Sequence, residues 1–137
     1  MKIKNKGVKI LSIPKIEDYR GNLSVIENDT VPFDIKRVYY LYDVPSGAER
    51  GGHAHKDLQQ FLVALSGSFD VVLKDGKEEQ IITLDKPSEG LLINPGIWRE
   101  LQNFSSGSVC LVVASDIYIE EDYIRNFDEF LNYSNHK

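Results

Sequence analysis

The fold can be read from one segment, Gly47-Ala48-Glu49-Arg50-Gly51-Gly52-His53-Ala54-His55. Its two histidines are separated by a single residue and stand shortly before the apolar run 61–65. Side chains on a β-strand alternate between its two faces, so on a strand His53 and His55 point in the same direction. We therefore expect both imidazoles to reach one cavity.

The residues around this segment follow an informative spacing. Five residues separate Gly47 from His53, four separate His55 from Gln60, and six separate Gln60 from Gly67. This spacing resembles the first motif of the cupin superfamily, whose members are small antiparallel jelly-roll barrels. The resemblance implies that the histidine segment is a strand of such a barrel.

A second resemblance bears on metal binding. Residues 90–103, with the turn Pro95-Gly96, resemble the second cupin motif. In metal-binding cupins a glutamate of the first motif and a histidine of the second join the two histidines, and here these positions are Gln60 and Arg99. An arginine guanidinium has no lone pair to offer and repels a cation, so we predict a site without a metal ion. Two alternatives stay open: an adventitious ion held weakly by the carbonyl of Gln60, and histidines with a purely structural role.

Composition describes an ordinary globular chain. Its 137 residues suit one domain, residues 1–137, and 42% hydrophobic and 27% charged residues are usual values. A net charge of −5 argues against a general nucleic-acid surface. The single cysteine, Cys110, lies in an apolar run, so no disulfide framework is expected. The basic start, residues 1–6, has no long apolar region after it, and we expect a cytoplasmic protein without a membrane span.

Short segments with strand character follow one another along most of the chain. They are residues 8–13, 18–27 with a polar turn, 35–43, 61–65, 69–73, 78–84, 90–94 and 108–115. This pattern predicts an all-β barrel or sandwich, and the cupin likeness specifies an antiparallel jelly-roll barrel. Residues 120–131 instead carry apolar side chains at helical spacing behind an acidic start, which predicts a short C-terminal helix.

The segment 35–43 is rich in tyrosine. On a strand, Arg37, Tyr39 and Leu41 share one face. Beside the histidine strand, Arg37 would supply a cation for phosphate and Tyr39 a phenol for proton relay. The alternative is that these tyrosines only pack, with their hydroxyls at the rim.

Together, several short segments resemble one family, the thymidine diphosphate 4-keto-6-deoxy-D-glucose 3,4-ketoisomerases, which are metal-independent cupins of cell-surface sugar synthesis. The segments are Asp18-Tyr19-Arg20-Gly21, Ile35-Lys36-Arg37-Val38-Tyr39-Tyr40, Arg50-Gly51-Gly52-His53-Ala54-His55-Lys56, Pro95-Gly96-Ile97-Trp98-Arg99-Glu100, Ala114-Ser115-Asp116 and Asp122-Tyr123-Ile124-Arg125. The likeness covers roughly residues 8–133. It implies an isomerase that needs no cofactor and acts on a dTDP-linked 4-keto-6-deoxy sugar, in deoxysugar biosynthesis for an S-layer or O-antigen glycan.

The same likeness implies roles for the residues of the site. His53 would be the base at carbon 3 of the sugar, with Tyr39 and His55 as hydrogen-bonding or proton-relay partners. The residues implied in substrate binding are Tyr19, Arg20, Arg37, Arg50, Gln60, Trp98, Arg99 and Arg125. Among them the four arginines other than Arg99 are candidates for the diphosphate, and Arg125 would lie on the predicted helix. Trp98 would either pack near the sugar or cap the barrel.

Two further expectations depend on the resemblance. Family members with an arginine at the place of Arg99 yield the gluco product and those with histidine yield the galacto product, so we expect the gluco product, with Tyr19 setting the tilt of the sugar. A homodimer is expected, with residues 8–14 pairing with an open sheet edge of a partner.

Two other functions stay open at this point. One is a nucleotide-sugar 3,5-epimerase, although such enzymes resemble proteins with a His-Asp pair in place of His-x-His and with a longer chain. The other is a non-catalytic, sugar-binding cupin.

Overall fold

The computed structural model describes residues 6–136, so residues 1–5 of the basic start and residue 137 lie outside the described part. Its regular structure consists mainly of strands: β1 Val8–Ser12, β2 Lys15–Ile16, β3 Leu23–Ser24, β4 Arg37–Leu41, β5 Arg50–His55, β6 Gln60–Ser66, β7 Phe69–Lys74, β8 Glu79–Leu84, β9 Glu89–Ile93, β10 Trp98–Gln102, β11 Val109–Ala114 and β12 Tyr123–Ile124. A 3₁₀ turn, Glu120–Asp122, precedes β12, and one helix, α1 Phe127–Asn135, follows it.

The strands form two five-stranded antiparallel sheets. Sheet I has the order β1-β9-β6-β11-β4, and sheet II has the order β12-β5-β10-β7-β8. Strands β2 and β3 form a separate two-stranded hairpin. The all-β antiparallel jelly roll is confirmed, as a sandwich: within residues 6–136 no ladder joins the two sheets into a closed barrel.

The core lies between the inner faces of the two sheets. Alternate residues of β6 and β7, such as Leu62, Phe69, Val71 and Leu73, are buried there. Each such side chain contributes about 1.5–3 kcal/mol when it leaves water. Cys110 belongs to this core, and burial raises the pKa of its thiol to about 12, so it is an inert apolar residue as expected.

The long loop between β3 and β4, residues 25–36, covers part of the outer face of sheet I. Val31 and Phe33 pack on Phe61, Val63 and Val113, which point away from the main core. The sequence predicted a strand running on to residue 27, but only Leu23–Ser24 is a strand. The chain beyond it lies across the sheet instead of pairing with it, because its apolar residues are buried against that face.

Strand β10 is central in sheet II, between β5 and β7, although the sequence pattern did not identify it as a strand. Its core-facing residues are Arg99 and Leu101, both buried. A charged side chain on the buried face hides the alternation of polar and apolar residues by which strands are recognised.

The C-terminal helix begins later than predicted. Tyr123 and Ile124 belong to β12, which pairs with His55 and Ala54 of β5. The helix starts at Phe127, where the side chain of Asn126 accepts a hydrogen bond from the N–H of Glu129 and caps the first turn. Arg125 therefore lies between β12 and α1 and not on a helix.

The helix supports the histidine strand from outside. Ala54, between the two histidines, faces outward and is buried with Trp98, Ile124 and Phe130. His53 and His55 consequently point inward, as the alternation predicted. Among the described residues, no helix has the length and apolar character needed to span a bilayer.

Candidate active site

Both sheets contribute polar side chains to one end of the sandwich. His53 on β5 and Arg99 on β10 are cross-strand partners in sheet II, and Tyr39 on β4 and Gln60 on β6 come from sheet I. A chain of hydrogen bonds joins them. The Gln60 Nε2 donates to Tyr39 Oη at 3.0 Å, and Arg99 Nη2 lies 3.1 Å from Tyr39 Oη and 3.0 Å from His53 Nε2.

The hydrogen-bond donors in this chain determine the protonation of His53 and the direction of the Tyr39 hydroxyl. A guanidinium can only donate, so the Nε2 atom of His53 accepts and the ring is neutral with its proton on Nδ1. Tyr39 Oη accepts from both Arg99 and Gln60, which leaves its own O–H proton available to a ligand. Arg99 is 2% exposed, so its charge sits inside the protein.

Four polar atoms of this region are buried without a hydrogen-bond partner in the described part of the chain. They are His55 Nε2, Gln60 Oε1, Arg99 Nε and Arg99 Nη1. An unsatisfied buried group costs about 1–3 kcal/mol. Their concentration beside two histidines indicates a site built for a polar ligand.

His55 has a different partner from His53. Its Nδ1 lies 2.9 Å from Oδ2 of Asp122, and Oδ1 of the same carboxylate accepts the backbone N–H of Asp57 at 2.7 Å. A carboxylate accepts hydrogen bonds, so His55 carries its proton on Nδ1 and has its lone pair on Nε2.

Tyr123 lies against both imidazoles. Its ring centroid is 5.0 Å from that of His53 and 4.4 Å from that of His55, and the two imidazoles meet edge to face at 4.7 Å. Pairing of β12 with β5 places Tyr123 opposite His55. Its hydroxyl accepts a hydrogen bond from Nη1 of Arg37 at 3.4 Å.

Two neighbouring cavities meet at Tyr123. One, of about 240 Å³, is lined by His53 and Tyr39, and the other, of about 210 Å³, is lined by His55. Both include Arg37 and Tyr123 in their walls. The two imidazoles thus line two adjoining cavities and not the single cavity that was expected. Tyr123 contacts both rings and forms part of the wall of each cavity.

Burial keeps both histidines neutral near pH 7. Desolvation of the buried imidazole is the largest cause that lowers the pKa of His53, and the positive charge of Arg99 is the second. Together with smaller effects of His55, Arg125 and Arg37 they lower this pKa to about 2. Burial and Arg99 also lower the pKa of His55, but the Asp122 carboxylate opposes them and the pKa is about 4.

Three of the predicted arginines border the larger cavity, together with Arg99. Arg37 lies over the ring of Tyr39 at 4.5 Å, and Arg125 lies over the ring of Tyr123 at 4.2 Å. Arg50 lines the same cavity. The site is therefore rich in positive charge although the chain as a whole is acidic.

Three other predicted residues are not brought into this cluster. Tyr19 is 97% exposed on the turn between β2 and β3, and Arg20 beside it pairs with Asp18 at 2.9 Å. Trp98 packs on Phe127 of α1, and its indole N–H donates to Glu100 at 2.7 Å. The structure thus places Trp98 on the outer side of sheet II.

Sequence reasoning did not assign roles to Asp122 and Tyr123. Both lie in a segment that was quoted for its family likeness, but the apolar spacing around it indicated a helix. The acidic residues were interpreted as charges at the start of that helix. Only the pairing of β12 with β5 reveals that these two residues face the histidines.

The chemistry of the site bears on metal binding. Within residues 6–136, no group of three or more His, Cys, Asp and Glu side chains is arranged to hold a metal ion. The buried cation of Arg99 donates to the ring nitrogen of His53 that a metal would otherwise use. Function without a metal stays a prediction.

Comparison with known proteins gives consistent results. Residues 6–135 match the family model described as FdtA, WxcM-like, C-terminal. The TDP-4-oxo-6-deoxy-alpha-D-glucose-3,4-oxoisomerase of Aneurinibacillus thermoaerophilus is 51% identical over 126 residues, which are 91% of each chain.

Two solved structures are also similar. A mutant of the 3,4-ketoisomerase QdtA from Thermoanaerobacterium thermosaccharolyticum, with histidine changed to asparagine and in complex with TDP-4-keto-6-deoxyglucose, superposes with a TM-score of 0.95 at 43% identity over 98% of both chains. The TDP-quinovose 3,4-ketoisomerase WlaRB from Campylobacter jejuni gives a TM-score of 0.88 at 50% identity, covering 93% of this chain and 99% of the other.

The low histidine pKa values predict an acid-sensitive fold. Each pKa is below the ordinary value of 6.5, so below about pH 6.5 the unfolded chain binds protons that the folded chain does not. We expect the free energy of unfolding to fall as the pH drops from 6.5 towards 4, by up to about 1.4 kcal/mol per pH unit for each histidine. Urea unfolding at a series of pH values measures this slope.

A matched set of variants tests whether the two buried histidines cause this pH dependence of the free energy of unfolding. His53→Asn combined with His55→Asn should flatten it, whereas His136→Asn, which removes the exposed third histidine, should leave it unchanged. An equally steep slope in the double variant would contradict the assignment.

Proposed function

The chain belongs to the family of thymidine diphosphate-sugar 3,4-ketoisomerases and is an isomerase, and from this premise we propose that it converts dTDP-4-keto-6-deoxy-D-glucose to dTDP-3-keto-6-deoxy-D-glucose. The observation that carries this proposal is the hydrogen-bonded set of His53, Arg99 and Tyr39 on the wall of one cavity. A neutral imidazole, a buried cation and a phenol are sufficient for moving a proton beside a carbonyl.

The proposed reaction passes through an enediol. His53 takes the proton from carbon 3, the electron pair of that C–H bond forms a double bond to carbon 4, and negative charge develops on the oxygen of carbon 4. The proton of the 3-hydroxyl passes to that oxygen, and a proton is added to carbon 4, which leaves the carbonyl on carbon 3. The substrate and the product are isomers, so no oxidant and no cofactor is required.

Arg99 has two roles in this scheme. In the free protein it donates to the Nε2 lone pair of His53. A sugar oxygen that takes over this guanidinium frees the lone pair for carbon 3 and is itself stabilised as charge develops on it. Tyr39, whose oxygen is held by Arg99 and Gln60, can direct its O–H proton into the cavity as a relay.

The remaining predicted residues serve binding in this proposal. Arg37, Arg50 and Arg125 at the rim of the cavity suit the two phosphates, which arginine forks bind well. The exposed Tyr19 and Arg20 are available to the outer part of the ligand. The position of Trp98 under α1 favours the role of a cap of the sheet over contact with the sugar.

The first test is isomerisation in deuterated water with a chelator present. We expect deuterium at carbon 4 of a 3-keto product and at carbon 3 of recovered substrate, and no loss of rate with EDTA. Label at carbons 3 and 5 would indicate an epimerase instead, and unlabelled ligand would indicate a non-catalytic binder. Activity that disappears with EDTA and returns with a divalent metal would contradict the metal-free mechanism.

The same assay tests His53 as the base. His53→Asn keeps the size of the side chain but removes the base, which typically contributes about 10²–10⁴-fold to the rate. We expect that loss in turnover while thymidine diphosphate still binds, with His136→Asn as a fully active control. Near-normal turnover of His53→Asn would move the base elsewhere, with His55 the next candidate.

The configuration of the product is a separate expectation. In the gluco series the hydrogens on carbons 3 and 4 lie on opposite faces of the ring, so carbon 4 must receive its proton from the face opposite to His53. Arg99 cannot be that donor because it stays charged. The relative that is named a TDP-quinovose enzyme, a 6-deoxyglucose series, supports this product. Proton NMR of the fresh product should give the large H4–H5 coupling of an equatorial 4-hydroxyl, and an axial hydroxyl would exclude the gluco assignment.

We also propose a homodimer, and the structure offers an apolar surface for it in addition to the sheet edge expected from the sequence. Strand β1 pairs with β9 of its own chain and is the outermost strand of sheet I, so the expected pairing of residues 8–14 with a partner stays a prediction. Val38, Tyr40, Tyr42 and Leu65 are exposed on the outer face of sheet I beside the part that the long loop covers. Such an apolar patch suits a second copy of the chain.

Sedimentation tests the dimer directly. We expect twice the chain mass of 15.6 kDa at micromolar concentration. Tyr40→Glu should shift the protein towards the monomer, whereas Ile81→Glu, which places the same charge on exposed β8 of sheet II, should not. A monomeric wild-type protein would remove the proposal.

A further inference from the structure

The two histidines, although only one residue apart, are in opposite electrostatic settings. His53 accepts a hydrogen bond from the Arg99 guanidinium, whereas His55 donates one to the Asp122 carboxylate. An imidazolium beside a guanidinium is disfavoured, and an imidazolium beside a carboxylate is favoured. Only His55 therefore has a partner that can stabilise a positive charge.

Asp122 is itself held in place by the backbone. One carboxylate oxygen accepts the N–H of Asp57, and the N–H of Lys56 donates to the main-chain carbonyl of Asp122 at 3.0 Å. Its side chain is 11% exposed, and that of His55 is 5% exposed. Because both oxygens have assigned partners, the carboxylate cannot rotate away without losing one of them.

We propose that Asp122 is a positioning residue that fixes the tautomer of His55 and makes it the carrier of the proton that passes between the two sugar oxygens. The inference rests on the proposed function. It also explains why His55 Nε2 is buried with its lone pair and without a protein partner. That atom is the acceptor for a proton from the ligand.

The proton transfer balances. His55 Nε2 takes the proton of the 3-hydroxyl and becomes an imidazolium, whose Nδ1–H remains hydrogen-bonded to Asp122. It then gives the Nε2 proton to the oxygen of carbon 4 and returns to its starting state. The carbon-bound proton goes separately to His53. The two ring centroids are 4.7 Å apart, and the cavities at the two rings share the wall at Tyr123, so a sugar ring that spans both cavities there would contact both imidazoles.

The charges around His55 support its role as the carrier of the oxygen-bound proton, with His53 as the base at carbon 3. Arg99 and Arg37 disfavour its protonation, and Asp122 is the group that favours it. His53 and Tyr123 are the ring neighbours of His55, and His53 is neutral in the free protein because its Nε2 accepts a hydrogen bond from Arg99. Removing the Asp122 charge would leave His55 with cations only.

Asp122→Asn should reverse the tautomer of His55. The asparagine carbonyl would keep the N–H of Asp57, so its NH₂ group would face Nδ1 and donate to it. His55 would then hold its proton on Nε2 and could no longer accept the 3-hydroxyl proton. Nitrogen-15 NMR of the imidazole rings should show an Nδ1–H tautomer for His55 in the wild-type protein and an Nε2–H tautomer in the variant.

Kinetics in deuterated water give a second readout. We expect Asp122→Asn to lose about 10²–10⁴-fold in kcat with little change in KM, yet still to exchange the carbon 3 hydrogen, because His53 is untouched. A merely structural role would reduce exchange and turnover together. Asp85→Asn, at an exposed position in the connection between β8 and β9 and with the same change in charge, should behave like the wild-type protein.

Several results would overturn the inference. They are an Nε2–H tautomer of His55 in the wild-type protein, turnover of Asp122→Asn equal to that of Asp85→Asn, and loss of exchange together with turnover in a folded Asp122→Asn. If that variant does not fold, the wild-type spectrum still decides the tautomer. If the wild-type protein does not isomerise the substrate, the proposed function fails, and the spectra still decide whether Asp122 positions His55.

Discussion

The hydrogen bond from the buried Arg99 guanidinium to His53 is the interaction on which the rest of the site depends. A buried cation is costly unless its N–H groups are satisfied, and only one of its terminal nitrogens has partners among the described residues. It links the two sheets by reaching Tyr39 on β4 from its place on β10. It also forces His53 to be neutral, since two adjacent cations would repel one another.

This arrangement explains how one short motif supplies two unlike groups. His53 and His55 share a strand and a direction, but β10 brings an arginine to one and β12 brings an aspartate to the other. The difference between them therefore comes from their cross-strand neighbours and not from the motif itself. In nucleotide-sugar epimerases a His-Asp pair was expected in place of His-x-His, and this chain combines both features.

The sequence was sufficient for much of the fold and for part of the site. Period-two alternation correctly placed Tyr39 and the two histidines on inward faces, because that signal is local. It could not place Asp122, which lies 67 residues beyond His55, since that contact depends on the pairing of β12. The apolar residues from Tyr123 onwards have helical spacing, although Tyr123 and Ile124 belong to a strand. The buried charge of Arg99 interrupts the alternation by which β10 could have been recognised. Tyr19 and Trp98 were named by resemblance alone, and resemblance carries no information about the face on which a side chain lies.

The ion pair of Arg125 has a consequence for turnover. Its guanidinium donates to Glu120 at 2.9 and 2.8 Å, and the hydroxyl of Tyr118 also donates to Glu120, so the rim arginine already has an anionic partner. A diphosphate that engages Arg125 must displace that carboxylate, which acts as an internal competitor for the ligand. Such competition weakens the affinity for the nucleotide and also shortens its residence time, because Glu120 can pair with Arg125 again as the nucleotide leaves. In the proposed reaction, Glu120 would therefore favour early release of the nucleotide-sugar product.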